Sequence, residues 1–255
     1  MHSDPSSPLS LPAQQEYLHR LVRLVNQTYG LRVFIGADPA AFQRAYQQSS
    51  ETGFAQLPFL SSRVGGPGTG FSWAEFRAGR ETVALLAGRG LAPVGGSQRF
   101  SELIQAGGLF DLGLSALSCR GWVPNAGPEV FAPGSAIYRG AGWVHPAHRG
   151  KTLAGLIVRI LNLHLLQAHP HAEWLVGMVA KGLHDSGYAL RTDGWHEQQV
   201  EPILDGYFPV SGGQEQLYVT SSFVETTLRL YASELVSLRE TDTLPWARVP
   251  SAALG

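Results

Sequence analysis

One short segment of the chain combines basic and small residues in a pattern that could hold a phosphate. Arg149-Gly-Lys-Thr-Leu-Ala154 follows Trp143-Val-His-Pro146 and leads into a strongly apolar stretch. The first turn of a helix carries partial positive charge and backbone N–H groups without intrahelical partners. The amides of residues 150–154, with the charges of Arg149 and Lys151, therefore suit a phosphate or diphosphate, although a solvated helix cap would use the same residues.

Three other groups of residues are weaker candidates for chemistry. The glycine cluster at 65–70 has the spacing of a nucleotide-binding P-loop, but Phe71 stands where the mechanism needs lysine. The pair His145 and His148 lacks the carboxylate and spacing of a helical zinc motif. Cys119 is the single cysteine and has no recognisable base pattern beside it. We predict no nucleotide hydrolysis, no metal site and no cysteine nucleophile.

The elements that would position the phosphate-binding segment are a strand, a helix and a second strand. Residues 136–144 favour a strand that ends at Pro146, and residues 151–168 form the strongest helical pattern in the chain. This helix is apolar over more than half its circumference, so we expect it to be buried against a sheet. Residues 174–180 form a continuous apolar strand of the kind covered on both faces.

The rest of the pattern adds helices and strands on both sides of this unit. Helices are predicted at 12–29, from Asp38-Pro39 onward, at 181–191 and at 225–238, and strands at 31–35, 71–78, 82–87 and 216–224. The order indicates an α/β chain with a mixed sheet. We predict a disordered N-terminus at 1–12, one domain at 13–240 with an insertion at 91–135, and a tail at 241–255.

Composition excludes several classes of partner. Nineteen Lys and Arg balance 20 Asp and Glu, for a net charge of -1, and no basic stripe could neutralise a run of phosphates, so we expect no nucleic acid. Polar residues interrupt the longest apolar stretch, 153–166, so no membrane span is predicted. The N-terminus lacks a signal-peptide pattern, and one cysteine cannot build a disulfide scaffold. A cytoplasmic location is the expectation.

In residue detail, the segment 136–195 resembles the GNAT superfamily of acyl-CoA N-acyltransferases. Val144-His-Pro146 is similar to the family's Val-x-Pro strand end, and Arg149-Gly-Lys-Thr-Leu-Ala154 is similar to its Arg/Gln-x-x-Gly-x-Gly/Ala loop, with Thr152 in place of the central glycine. The order of elements from 31 to 224 is also similar, ending in a Gly-aromatic pair at Gly194-Trp195. The resemblance implies a GNAT-like mixed, mostly antiparallel central sheet flanked by helices, with acetyl-CoA or another acyl-CoA as co-substrate.

The resemblance also implies roles for particular residues. Backbone N–H groups around Trp143 and Val144 would polarise the thioester carbonyl. The general acid would be Tyr188 or His184, depending on helix phase. A general base is not evident, because 136–144 contains no Asp or Glu. The residues expected to bind the CoA moiety are Trp143, Val144, Arg149, Gly150, Lys151, Thr152, Leu153 and Ala154.

The function implied is direct transfer of an acetyl or other acyl group to the primary amine of a small molecule. The insertion and the N-terminal helix would shape the acceptor site. Two alternatives stay open: a CoA-binding module of this type without catalysis, and other acyl-thioester chemistry on the same scaffold, such as decarboxylation. The oligomeric state is open as well, with a homodimer among the options.

Overall fold

The computed structural model describes residues 7–49, 70–91, 136–187, 201–204 and 217–246. Its elements in chain order are α1 (Leu11–Tyr29), β1 (Arg32–Gly36), α2 (Pro39–Ser49), β2 (Ser72–Ala78), β3 (Glu81–Gly90), β4 (Ala136–Val144), a 3-10 turn (Pro146–His148), α3 (Leu153–Ala168), β5 (Trp174–Ala180), α4 (Lys181–Asp185), β6 (Glu201–Leu204), β7 (Leu217–Phe223) and α5 (Val224–Thr241). The predicted insertion lies outside the described residues from 92 onward, and the division into domains stays a prediction.

Within the described residues, seven strands form one sheet in the order β1-β2-β3-β4-β5-β7-β6. The pair β4–β5 is parallel, and every other pair of neighbours is antiparallel. Parallel neighbours need a long crossover, which α3 provides here. The mixed, mostly antiparallel sheet flanked by helices confirms the predicted fold class.

The core lies between one face of the sheet and the helices α1, α3 and α5. Twelve of the sixteen residues of α3 are buried, which confirms that this helix packs against the sheet. Ala74, Phe76, Ala84 and Leu86 of β2 and β3 belong to this core. Trp73 alternates with them and packs on the other face against Phe42 of α2, with ring centroids 5.8 Å apart.

Local sequence signals set most of the boundaries. The helix α1 ends where Gly30 adopts φ +64° and its N–H bonds to the Asn26 carbonyl. The Ala40 N–H donates to the Asp38 side chain at 2.9 Å, so Asp38 caps α2. Gly79 turns the β2–β3 hairpin at φ +62°. The strands predicted at 136–144 and 174–180 have the same bounds as β4 and β5 in the structure.

Two elements differ from the sequence prediction. The strand β6 was not predicted, because four residues that include Pro202 show no alternation, and it is held at the sheet edge by pairing with β7. A helix is predicted at 181–191, whereas the described helix α4 ends at Asp185. Residues 188–191 lie outside the described residues. Among the described helices, none is long and apolar enough to cross a membrane.

Candidate functional site

The strand β4 leaves its regular ladder two residues before Trp143. Ala87 pairs with Gly140 and Leu85 pairs with Trp143, so the single residue Leu86 faces both Ala141 and Gly142. Ala141 takes up the extra residue with a left-handed φ of +55°. This is a β-bulge, which bends a strand and increases its twist. It redirects the last residues of β4.

The strands β4 and β5 separate after four paired residues. Their parallel pairing runs from Ala136 with Trp174 to Arg139 with Gly177, whereas β5 stays paired with β7 as far as Ala180. The last residues of β4 stay paired with β3 instead. Within the described strands, the facing edges of 140–144 and 178–180 therefore share no ladder, and the sheet opens there.

The peptide groups of Val144 point into this opening. The next residue, His145, donates its N–H to the Val83 carbonyl of β3 at 2.8 Å. Because the peptide groups of a strand alternate in direction, the N–H and carbonyl of Val144 face away from β3. Arg149 supports this direction, since its Nε donates to the Val144 carbonyl at 3.1 Å. Trp143, by the same alternation, directs its N–H toward β3, so Val144 is the better candidate donor of the two.

A turn with two left-handed residues joins the strand end to α3. Gly150 has φ +78°, and Thr152, the residue in place of the GNAT glycine, has φ +67° and ψ 0°. Glycine adopts this conformation without steric cost, whereas a β-branched residue rarely does. Left-handed residues in such a turn can gather successive N–H groups into an anion-binding concavity. The backbone thus has the shape that a glycine would ordinarily provide.

The helix α3 begins directly behind this turn with an uncapped first turn. Thr152 is the N-cap residue, but its side chain makes no capping hydrogen bond. The N–H groups of Leu153, Ala154 and Gly155 have no partner four residues earlier within the helix. Arg149 is exposed and Lys151 is half-buried beside them. The eight residues predicted from the sequence to bind CoA therefore lie together at one end of the sheet.

Two histidines lie in the turn between β4 and α3. The Ala147 N–H donates to His145 Nδ1 at 3.2 Å, so a neutral His145 carries its proton on Nε2, which lies 3.5 Å from a Glu81 carboxylate oxygen. The ring of His148 lies edge-on to His145, with centroids 5.8 Å apart. Burial, and then the charges of Lys151 and His145, lower the pKa of His148. Among the described residues, no group of three or more His, Cys, Asp or Glu could hold a metal ion.

Several solved N-acetyltransferases resemble the chain in structure. The ribosomal-protein-S18-alanine N-acetyltransferase from Escherichia coli is 11% identical, with a TM-score of 0.43 over 76% of this chain and 94% of that one. AAC(6')-Ib, solved with ribostamycin and coenzyme A, is 9% identical, with a TM-score of 0.42 over 77% and 95%. NAA60 from Arabidopsis thaliana, solved with a bisubstrate analogue, is 12% identical, with a TM-score of 0.42 over 75% and 98%. No family model and no curated protein matches the sequence.

The described elements have the order that the resemblance in the sequence implied. In this chain the mixed sheet has one parallel pair, α3 crosses between its strands, and α4 follows β5 directly. Identities near 10% and TM-scores below 0.5 say nothing about substrate or about individual residues. The candidate site of this chain therefore rests on its own geometry.

The structure does not test the two candidates for the general acid. His184 belongs to α4, immediately after β5, but its side chain is not among those described. Tyr188 lies outside the described residues. Both assignments stay predictions.

A buried ion pair behind the site was not predicted from the sequence. Arg159 of α3, only 1% exposed, donates through Nε and Nη2 to the two carboxylate oxygens of Glu234 in α5, at 2.8 and 2.7 Å. Burial is the largest influence on the pKa of Arg159 and lowers it, but the charge and hydrogen bonds of Glu234, with smaller effects of Tyr17 and Tyr231, together outweigh burial and the net shift is upward. Its Nη1 also donates to the Gly155 carbonyl in the first turn of α3, at 3.1 Å. A lone arginine inside the most apolar helix was the available signal, because such a charge needs a buried partner.

Proposed function

We propose that this protein is an acyl-CoA-dependent N-acyltransferase, which moves an acetyl or other acyl group directly to the primary amine of a small molecule. The observation that carries the proposal is that two groups of backbone donors lie close together in the chain. The opening beside Val144 is separated by only a few residues from the left-handed turn and the uncapped start of α3. A thioester and a diphosphate are the two parts of acyl-CoA that such donors suit.

The diphosphate would be held mainly by backbone groups. The N–H groups of 150–154 surround a left-handed turn at the positive end of α3, where an anion is stabilised by the helix dipole. Lys151 and Arg149 add positive charge at the same end. This arrangement uses backbone N–H groups and does not need the lysine of a nucleotide-binding P-loop. It is therefore compatible with Phe71, which stands at the lysine position after the glycine cluster at 65–70.

The thioester would lie in the opening between β4 and β5. There the Val144 N–H can donate to the thioester carbonyl and to the oxyanion that develops when the amine attacks. The N–C bond forms as the C–S bond breaks, the amine loses a proton, and the thiolate receives one from Tyr188 or His184. Free CoA and the N-acylated product leave.

No carboxylate of the described strand β4 can take the amine's proton. Among the described residues, Glu75 on β2 is a fully buried carboxylate on the same face of the sheet as Trp143. It accepts a hydrogen bond from Thr82 at 2.5 Å and pairs with Arg77 at 2.6 Å. Because these groups hold it within the hairpin, we do not assign it as the general base.

The decisive experiment measures CoA thiol release from acetyl-CoA and longer acyl-CoAs with a panel of small primary amines. Amine-dependent release is the expected result. CoA binding without release would favour a non-catalytic CoA-binding module, and amine-independent loss of carbon dioxide from a carboxyacyl-CoA would favour decarboxylation.

A matched pair of variants tests the loop assignment in the same assay. Thr152→Glu places a carboxylate among amides that would face the diphosphate, so the Kd for CoA should rise about tenfold or more. Thr152→Gln has the same size without the charge and should bind considerably more tightly than Thr152→Glu. Equal CoA binding by both variants and the parent would show that the loop does not hold the diphosphate.

A further inference from the structure

Trp246, beyond the end of α5, is tied into the buried ion pair. Its Nε1 donates to a Glu234 oxygen at 2.7 Å. Its ring lies over the Arg159 guanidinium, with Cζ 3.9 Å from the ring centroid. Tyr231 approaches the same guanidinium with its centroid at 5.8 Å, and Tyr17 donates its hydroxyl to Glu234. The segment after α5 is therefore anchored to α3 by the cation–π contact with Arg159, and to α5 by the hydrogen bond to Glu234.

The same indole lies against the first turn of α3. A Cβ added to Gly155 would come within 2.7 Å of Trp246 Cζ3 and 3.0 Å of Cη2. Gly155 is the third residue of α3, and its carbonyl accepts the Arg159 Nη1 hydrogen bond. The absence of a side chain at 155 thus lets the ring contact helix backbone within one turn of the N-terminal amides.

We propose that Trp246 is a positioning residue for the N-terminal turn of α3, and through it for the amides that receive the diphosphate of CoA. Its effect on ligand binding rests on the proposed function, whereas its effect on the helix turn does not. The physical reason is that the first turn lacks a side-chain cap, so packing from behind has to hold its amides in place.

A double-mutant cycle tests the contact itself. Gly155→Ala should lower Tm in the parent, because the added methyl group collides with the indole ring. In the Trp246→Ala background the collision is gone. There Gly155→Ala should raise Tm, because alanine has a higher helix propensity than glycine. Equal effects of Gly155→Ala in both backgrounds would overturn the proposal.

Amide exchange and CoA titration test the positioning role. Trp246→Phe keeps a ring over Arg159 but loses the bond to Glu234, and it should speed exchange of the amides at 156–160. The Kd for CoA should rise by about 2- to 30-fold, the range for mutations that alter coupling without touching a ligand. Arg239→Gln is the control, because it removes the hydrogen bond from α5 to Glu16 of α1 and leaves Trp246, Glu234 and Arg159 unchanged.

The outcomes separate this proposal from the proposed function. Faster exchange in Trp246→Phe and not in Arg239→Gln supports the positioning role even if the parent binds no CoA, a result that would contradict the acyltransferase alone. Unchanged exchange, or the same change in both variants, would overturn the positioning role even if CoA binds tightly. Where CoA binds, an unaltered Kd in Trp246→Phe would also overturn it.

Discussion

Thr152 holds a backbone conformation that its own side chain disfavours. Its φ of +67° places the methyl and hydroxyl groups of a β-branched residue in the left-handed region. That region costs an L-residue about 1–2 kcal/mol. Strain of this kind persists where the surrounding structure determines the local conformation, and it is found most often at binding sites. Here the strand end at Val144 and the buried helix α3 set the path of the turn.

Replacing Thr152 with glycine should therefore stabilise the protein. The relief of about 1–2 kcal/mol exceeds the entropic cost of a glycine, about 0.5–1 kcal/mol, so the free energy of unfolding should rise by roughly 0.5–1 kcal/mol. Urea denaturation measures this. Gly150→Ala is the matched control and should lower the free energy of unfolding, because Gly150 is also left-handed. A Cβ there meets no atom within 4 Å, so the loss reports backbone strain without a steric clash. A less stable Thr152→Gly would show that contacts of the threonine side chain outweigh its strain.

The proton delivered to the departing thiolate distinguishes Tyr188 from His184. A phenol with a pKa near 10 stays protonated at neutral pH, whereas histidine, near 6.5, does not. If Tyr188 is the acid, Tyr188→Phe should lower kcat by at least about 10²-fold while CoA still binds. If His184→Ala loses activity instead, and the parent's activity falls above neutrality, the role passes to His184. Stopped assays across pH with both variants decide the assignment.

At the scale of elements, helices α1 and α5 are joined by charged side chains on their exposed edges. Arg239 of α5 donates to Glu16 of α1 at 2.9 Å, and Arg20 donates to the same carboxylate at 3.0 Å. The hydrogen bond from Arg239, aided by that from Arg20 and by both charges and opposed by partial burial, lowers the pKa of Glu16 to about 2. The folded chain therefore favours the ionised carboxylate.

This shift predicts a loss of stability in acid. The Glu16 contribution is complete above the ordinary pKa of 4.5 and disappears as pH falls toward about 2, because the folded state resists protonation there and the unfolded state does not. The Tm advantage of the parent over Glu16→Gln should shrink over that interval. Glu225→Gln, which removes an exposed pair within α5, should give a smaller change with pH. A Tm difference between parent and Glu16→Gln that does not vary with pH would contradict the predicted linkage.

At the scale of the whole molecule, the proposed ligand site separates two antiparallel parts of the sheet. The strands β1 to β4 form one part, and β5, β7 and β6 form the other, joined by four residue pairs between β4 and β5. Among the described helices, α3 is the one that connects a strand of the first part to a strand of the second. A ligand in the opening would bridge both parts of the sheet in the native state. The unfolded chain has no such opening and would not bind it.

CoA should therefore raise Tm, and ATP should raise it far less. A ligand that binds only the native state adds RT ln(1 + [L]/Kd), or about 2.7 kcal/mol at a hundredfold excess over Kd. Thermal melts with millimolar CoA, acetyl-CoA and ATP measure this. Melts unmoved by any CoA species would contradict the acyltransferase, and a larger shift with ATP would favour a nucleotide site.

The amino-acid sequence alone determined the elements whose signals are local. The apolar stripe and Gly30 set α1, the Asp38-Pro39 pair set the start of α2, and the apolar runs at 136–144 and 174–180 set β4 and β5. The basic turn before the most apolar helix identified the candidate site, because a strand, turn and buried helix bring neighbouring residues together without help from distant parts of the chain.

Only the tertiary structure decided the features that depend on distant partners. The bulge at Ala141 exists because β3 fixes the register on both sides of it, and the short strand β6 is held by pairing with β7. The direction of the Val144 N–H depends on a hydrogen bond to Val83, and the role of Arg159 depends on Glu234, 75 residues away. Periodicity reports which face of an element is apolar; it does not report which residue meets that face, because that depends on contacts between segments far apart in the chain.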